Sequence, residues 1–288
     1  MAQTRAGLYA YVLGSISAAQ KGVAKISNIR EFLPPILIKA LLRLGFGGNK
    51  FRHGYSNWDE AKSQCSGYDA QSITETVVSS SRAVRDGQAA YERDGVLFDK
   101  IEYSWPLLAA LLGTPRKGDL LRVLDWGGSL GSTYRQNQEL FSLSGLDVKW
   151  TVIEQGHIVD IGLKEFQTKN LTFVANPDDL SGQPFDVVLF ASSICYLENP
   201  SLAIQQAVVL NPSRIIFDRT PESNTESDLI GVQKVGSGIF KASFPVRSFA
   251  NGSLQKMIGD EYALVADWIS DLQPDPQTVA KGYVFQKN

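Results

Sequence analysis

The residues best equipped for chemistry in this chain stand in one run, Val123-Leu124-Asp125-Trp126-Gly127-Gly128-Ser129-Leu130-Gly131-Ser132. An apolar stretch ends there in a carboxylate, and glycines follow on either side of a serine. Glycine lets a backbone turn tightly and lets a ligand come close to the main chain. A second apolar stretch, Val148 to Ile153, ends in Glu154. Past a third comes Asn176-Pro177-Asp178-Asp179, and past a fourth Ser192-Ser193. Polar residues just beyond successive apolar runs converge when those runs are parallel strands, because ligands of open α/β sheets bind at the carboxyl ends.

Three chemistries compete for this constellation. Gly127-Gly128-Ser129-Leu130-Gly131 satisfies G-x-S-x-G, the nucleophile elbow of a hydrolase, which needs an acid and then a histidine further along. After Ser129 the only histidine is His157, well before the end of the sheet, so that reading fails. A dinucleotide fingerprint needs glycines where Ser129 and Ser132 stand, and Asp125 would repel a pyrophosphate seated on the helix N-terminus. That reading, an NAD(P)-dependent oxidoreductase, stays open. The third ligand is S-adenosyl-L-methionine, which carries a sulfonium and an ammonium instead of phosphates. A carboxylate at Asp125 then organises the loop and favours positive charge, while Glu154 is placed to accept both ribose hydroxyls, the task of the acidic residue in dinucleotide folds. Asn176 and Asp178 offer polar groups to the adenine, and Ser192 flanks the cofactor. Asn176 and Asp178 are equally good turn formers.

These positions depend on a regular alternation of elements. Strands are expected at Leu121–Trp126, Val148–Glu154, Leu171–Val174, Phe185–Ala191 and Arg214–Asp218, with helices at Tyr134–Leu143, Val159–Gln167 and Leu202–Val209 between them. Short apolar runs alternating with helices mean a doubly wound, mostly parallel sheet. Tyr262–Trp268 and Gly282–Gln286 bring the strands to seven; their short connection through Pro274 and Pro276 makes the last strand antiparallel. Leu229–Phe249 reads as a hairpin at the mouth of the site. Residues 51–117 read as mostly helical, with a cap at Asn57 and helices at Ser72–Val84 and Leu97–Leu112. The expected organisation is a leader over 1–50, a helical cap over 51–118 and a cofactor-binding α/β domain over 119–288.

Composition narrows the classes further. The chain has 288 residues, 43% hydrophobic and 20% charged, with a net charge of −2, which is ordinary globular usage and no nucleic-acid binder. Cys65 and Cys195 are far apart and His53 and His157 are the only histidines, so no zinc site or disulfide framework is expected. The absence of an acidic cluster predicts no metal. No stretch supplies the about 18 apolar residues of a membrane-spanning helix, and the cytoplasm is the expected compartment. Charge is uneven: residues 1–52 carry Arg5, Lys21, Lys25, Arg30, Lys39, Arg43, Lys50 and Arg52 against Glu31 alone. The amphipathic stretch Leu37–Leu44 can lie on an anionic membrane surface or pack on protein.

The residues quoted resemble the class I S-adenosylmethionine-dependent methyltransferases. The likeness rests on Val123–Gly131, on Val152-Ile153-Glu154-Gln155, on Phe185–Phe190 and on the antiparallel ending. More closely, the chain is similar to methyltransferases of bacterial surface-polysaccharide gene clusters. That likeness is carried by Tyr55–Ala61, Gly67-Tyr68-Asp69, Arg93-Asp94, Tyr196-Leu197 and Asp218-Arg219-Thr220-Pro221. The resemblance implies a Rossmann-like fold, cofactor contacts that include Gly128 and Gln155, and a sugar or lipid-linked glycan acceptor. The usual glycine at the loop centre is Ser129 here.

No catalytic base is assigned: His157, His53 and Tyr103 are weak candidates. Arg93 and Asp94 read as an ion pair, and Arg219 as a contact to substrate or a partner of Glu222. A module that binds the cofactor without transferring a methyl group also stays open.

Overall fold

The computed structural model describes residues 50–65, 70–235, 242–270 and 277–288. The expectations for the leader up to residue 49, for Gly67-Tyr68-Asp69, for the Pro274–Pro276 connection and for the tip of the 229–249 hairpin lie outside the described residues.

The chain opens with β1 (Lys50–Tyr55), α1 (Trp58–Ser63), α2 (Ala70–Arg85), a hairpin of β2 (Tyr91–Arg93) and β3 (Val96–Phe98), and α3 (Trp105–Leu112). Then come β4 (Leu120–Trp126), α4 (Ser132–Leu143), β5 (Asp147–Ile153), α5 (Gly156–Ile161) and β6 (Leu171–Val174). The chain continues through β7 (Val187–Ala191), α6 (Pro200–Val209), β8 (Arg214–Ser223), β9 (Leu229–Val235) and β10 (Ala242–Ala250). It ends with α7 (Ser253–Ile258), β11 (Tyr262–Ile269) and β12 (Thr278–Lys287).

Five parallel strands lie in the order β8-β7-β4-β5-β6. The winding reverses between β4 and β7, which opens a crevice at their carboxyl ends. β12 runs antiparallel along β8, and β11 antiparallel along β12, so the expected antiparallel ending is present.

The sheet is mixed and ten-stranded rather than seven-stranded. All seven expected strands are in it, and β1, β9 and β10 extend it: β9 and β10 form an antiparallel hairpin and β1 pairs with β9. The attachment is short, through Phe249 opposite Glu222 and Ala250 opposite Ser223. It exists because β8 continues for five residues past Asp218, which pairs with Ala191 at the end of β7, and so offers a free edge. A backbone edge that is not paired or covered invites another strand.

The 51–117 region departs from its helical reading in two places. β1 alternates half-buried Phe51, His53 and Tyr55 with exposed Arg52 and Gly54, the period of a strand. The helix expected from Leu97 starts at Trp105, because Leu97 and Phe98 belong to the β2–β3 hairpin. Its turn is Asp94-Gly95, with φ of 53° and 80°, the left-handed pair that a two-residue hairpin loop requires. The Asn57 cap forms as read: its Oδ1 accepts from the Glu60 N–H at 2.9 Å, and the Glu60 carboxylate accepts from the Ser56 N–H at 2.7 Å.

Alternate residues of the central strands feed two cores. On one face Val123, Trp150, Val152, Leu189 and Ile216 pack with Leu107, Leu111, Tyr134 and Phe141. On the other, Leu124, Ile153, Val188, Phe190 and Phe217 pack with Ile204 and Leu254. Phe190 is fully buried between Trp126, at a centroid separation of 5.6 Å, and Phe217, at 5.2 Å and 9° from parallel. Truncation of Phe190 to alanine is expected to cost about 3–5 kcal/mol. In urea the midpoint should fall with the slope unchanged.

Candidate functional site

β4 delivers Asp125 to the switch point fully buried. Its Oδ2 accepts from the Trp150 indole N–H at 3.1 Å, and its Oδ1 is buried with no hydrogen-bond partner among the described residues. The chain then turns back over it. Gly127 has φ +74° and donates its N–H to the Ile153 carbonyl at 2.9 Å. A Cβ on Gly128 would lie 2.5 Å from the Asp125 carboxyl carbon and Oδ2, so only glycine lets the main chain cross there. At Gly131, φ +86°, a Cβ would lie 2.8 Å from Leu171 Cδ2. Ser129 adopts φ +53°, the left-handed conformation that glycine takes most readily. Burial pushes Asp125 up to about 7, opposed by the Trp150 hydrogen bond and the Arg219 charge and helped by Glu154.

Glu154 follows β5 and closes the loop from the side. Its carboxylate accepts from the Gln155 N–H at 2.8 Å and from the backbone N–H of Ser129. Burial raises its pKa, and these two donors pull it back. Gln155 is exposed at the start of α5, and exposed His157 places Nε2 3.3 Å from Thr74 Oγ1 on α2. Asn176 Oδ1 accepts from the Asp178 N–H at 3.0 Å and starts a short 3₁₀ turn, so the pair shapes a turn at the tip of β6, with both residues exposed. Ser192, φ +61°, donates its N–H to the Asp218 carbonyl at 2.8 Å. The Ser193 hydroxyl donates to the Trp126 carbonyl, and a Cβ on Gly127 would lie 2.6 Å from Ser193 Cβ. The loops after β4, β5 and β7 therefore interlock.

Of the catalytic candidates, His157 acts on the Glu154 carboxylate beside the loop, and the other two lie on other elements. His53 lies on β1 opposite Gly231 of β9, Tyr103 sets its ring tilted against Trp105 at 5.1 Å ahead of α3, and His157 belongs to α5.

Two groups that do reach the loop were less legible in the sequence. Glu92 of β2 is 3% exposed and accepts from the Ser132 hydroxyl at the first turn of α4, from Ser81 Oγ at 3.4 Å and from the Gly95 N–H at 3.4 Å. The hairpin is thereby pinned to the glycine loop. Arg219 Nη1 donates to Asp218 Oδ2 at 2.6 Å, not to Glu222. Glu222 instead meets Lys281 at 2.6 Å and the Tyr283 hydroxyl. Arg93 reaches Glu102 at 3.7 Å rather than its neighbour Asp94.

The arrangement offers a buried carboxylate oxygen awaiting a donor or a cation, a glycine path that a ligand can approach, and a second carboxylate one strand away. S-adenosyl-L-methionine fits this donor set: Asp125 and the Gly127–Gly131 loop suit its cationic end, and Glu154 suits a pair of hydroxyls.

The raised Asp125 pKa has a definite sign. Its folded value, about 7, exceeds the ordinary 3.8, so between the two the native state keeps a proton that the unfolded chain has lost. Stability falls as pH rises through that window, and the penalty, on the order of 4 kcal/mol, is complete above the folded value. Asp125→Asn should flatten this dependence, gaining on the wild type as pH rises in urea unfolding from about pH 4 to about pH 8.

No family model matches the chain, and no curated protein matches it. Among solved structures it is similar to LepI in complex with SAM, with a TM-score of 0.44 and 11% identity over 64% of this chain and 47% of that one. The chain thus spans about half the length of LepI. It is similar to the N-terminal domain of EvdMO1 in the presence of SAH and D-fucose, with a TM-score of 0.43 and 14% identity over 76% and 97% of the two chains. It is also similar to the 4+2 cyclase SpnF, with a TM-score of 0.44 and 12% identity over 82% and 99%.

Proposed function

We propose that this chain binds S-adenosyl-L-methionine at the β4–β5 crevice and transfers its methyl group to a protic acceptor, a sugar or lipid-linked glycan intermediate. The observation that carries the reading is Asp125: fully buried, one oxygen unpaired, directly beneath the glycine loop that Glu154 fastens through Ser129. A pyrophosphate over that oxygen would push the carboxyl toward its neutral form, whereas a cation favours its charged form and is attracted by it. This separates the reading from an NAD(P)-dependent oxidoreductase.

When bound, the cofactor supplies an electrophilic methyl group on a positively charged sulfur. The chain's own part is to hold and orient. Gly127, Gly128 and Gly131 leave the main chain bare, Asp125 fixes the loop over the core, and Glu154 offers carboxylate oxygens to a diol. Methyl transfer is a displacement along one line, so positioning supplies much of its acceleration. The hairpin pinned by Glu92 covers the loop and forms one wall.

The sugar or glycan acceptor is supported by the resemblance to polysaccharide-cluster methyltransferases, carried by Tyr55–Ala61 and Asp218–Pro221. The basic leader suits a lipid-linked acceptor at the inner membrane face of a cytoplasmic enzyme. Among the described residues no helix is long and apolar enough to cross a membrane.

Thermal unfolding of the full chain with S-adenosylhomocysteine, against NAD and NADP, tests the cofactor. At 100 times its dissociation constant a native-state ligand adds roughly 2.7 kcal/mol. Each kcal/mol raises the midpoint by roughly 2–4 °C in a domain of this size. The rise should vanish in Asp125→Ala and Glu154→Ala; a rise with NAD or NADP alone would sink the reading. Transfer of labelled methyl from S-adenosyl-L-methionine to nucleotide sugars and lipid-linked glycans tests the acceptor.

A further inference from the structure

The tip of β8 holds a second buried carboxylate that the cofactor loop does not use. Asp218 is 1% exposed; its Oδ2 accepts from Arg219, and its Oδ1 is buried without a hydrogen-bond partner among the described residues. It faces the same side of the sheet as Asp125. In register, Asp125 stands beside Leu189, Leu189 beside Ile216, and Asp218 follows Ile216 by the strand period of two. One strand, β7, separates the two carboxylates, which puts the strand axes about 10 Å apart.

Arg219, the partner of Asp218, is outnumbered by the carboxylates that act on it. Burial disfavours the Arg219 charge, yet its pKa is raised, because Asp218, Asp94, Tyr91 and Asp125 all act on it. Asp94 comes from the hairpin turn and is exposed, so the cluster spans from the sheet to the wall that covers it. Three carboxylates face one guanidinium, and two of the carboxylates carry a fully buried oxygen with nothing donating to it. An ionised carboxylate oxygen can only accept, and one kept dry without a donor is costly. A ligand that brings positive charge near these oxygens relieves that cost.

We infer that the Asp218–Arg219 pair sets the preference of this site for the cationic, methyl-bearing cofactor over its neutral demethylated product. This rests on the cofactor reading above. S-adenosyl-L-methionine has one more positive charge than S-adenosylhomocysteine and otherwise nearly the same shape, so a local charge change moves the two affinities apart. The pair is a specificity device: Asp218 attracts the charged form and Arg219 moderates that attraction so that binding does not become too tight. It acts beside Asp125, which organises the loop for either form.

The test is calorimetric titration of the full chain with S-adenosyl-L-methionine, S-adenosylhomocysteine and sinefungin, an analogue with an amine where the methylated sulfur stands. In Asp218→Asn, S-adenosyl-L-methionine and sinefungin should each weaken about tenfold, equivalent to about 1.4 kcal/mol, with S-adenosylhomocysteine within about twofold. Arg219→Gln should shift the preference the opposite way, toward the cationic ligands. Asp94→Asn, at an exposed turn where folding is not at stake, should move it about threefold in the same direction as Asp218→Asn, less because water screens it. Equal weakening of all three ligands in Asp218→Asn, or shifts of the same sign in Asp218→Asn and Arg219→Gln, would overturn the inference and leave the cofactor site standing. If Asp218→Asn does not fold, an unchanged preference in Asp94→Asn and Arg219→Gln overturns it. Wild-type protein that binds none of the three overturns the cofactor reading and this inference together.

Discussion

The fold around the switch point depends on keeping one carboxylate dry. Asp125 is fully buried and, among the described residues, accepts from the Trp150 indole alone. Such a group costs free energy unless the rest of the structure gains from it. Here the gain is positional. Trp150 is 1% exposed and packs against Tyr134 and Phe141 of α4, so the residue that holds Asp125 also seats the helix that follows the glycine loop. Gly128 can cross only because it lacks a side chain, and its crossing directs the next residues toward Glu154. Core packing, loop path and the second carboxylate are therefore one constraint expressed at three scales.

The elements outside the parallel sheet are arranged around that constraint. The β2–β3 hairpin is too short to be stable by itself; it is held by Glu92, whose carboxylate meets Ser132 at the head of α4 and Ser81 on α2. A buried carboxylate there is also favoured by the positive end of the helix. The β9–β10 hairpin reaches the site from the opposite direction. Tyr196, just after β7, donates its hydroxyl to Gln233 of β9 at 2.7 Å and sets its ring edge-on to Phe244 of β10 at 5.2 Å. The loop after β7 is thus braced by β4 on one side and by the added strands on the other.

Much of this was legible because the parallel strands are apolar on both faces and end in polar residues. Val123-Leu124, Val152-Ile153 and Val187–Phe190 announce buried strands, and Asp125, Glu154 and Ser192 mark their tips. The antiparallel ending was legible from a connection too short for a crossover. What resisted reading lacked that contrast. β1 is polar on one face and half-buried on the other, so only a period of two betrays it. The hairpin over the site has strands of three residues, and its one clear sign is Asp94-Gly95. The partner of Arg219 was hidden because Arg219 leaves the regular strand conformation where β8 runs past Asp218, and no local signal gives that extension, because it is fixed by pairing with β12.

Backbone strain traces the same site independently of charge. Among the described residues, five other than glycine have positive φ: Asp94, Ser129, Ser192, Asn211 and Arg219. Asn211 lies in the turn after α6, and asparagine tolerates that conformation. The other four are the hairpin turn that acts on Arg219, the centre of the glycine loop, the residue after β7 and the residue that pairs with Asp218. Each costs of order 1 kcal/mol or more and persists only where its surroundings over-determine it. For Ser129 the compensation is the bond from its N–H to Glu154, and for Ser192 the bond from its N–H to the Asp218 carbonyl. Arg219 is the least expected, since a long side chain gains nothing from a left-handed backbone. The twist does break the strand's alternation at that point, and so lets Arg219 turn back onto its own neighbour's carboxylate. A regular strand would send those two side chains to opposite faces. The strain at Arg219 is thus what brings a cation to the tip of β8, beside a carboxylate whose second oxygen stays buried.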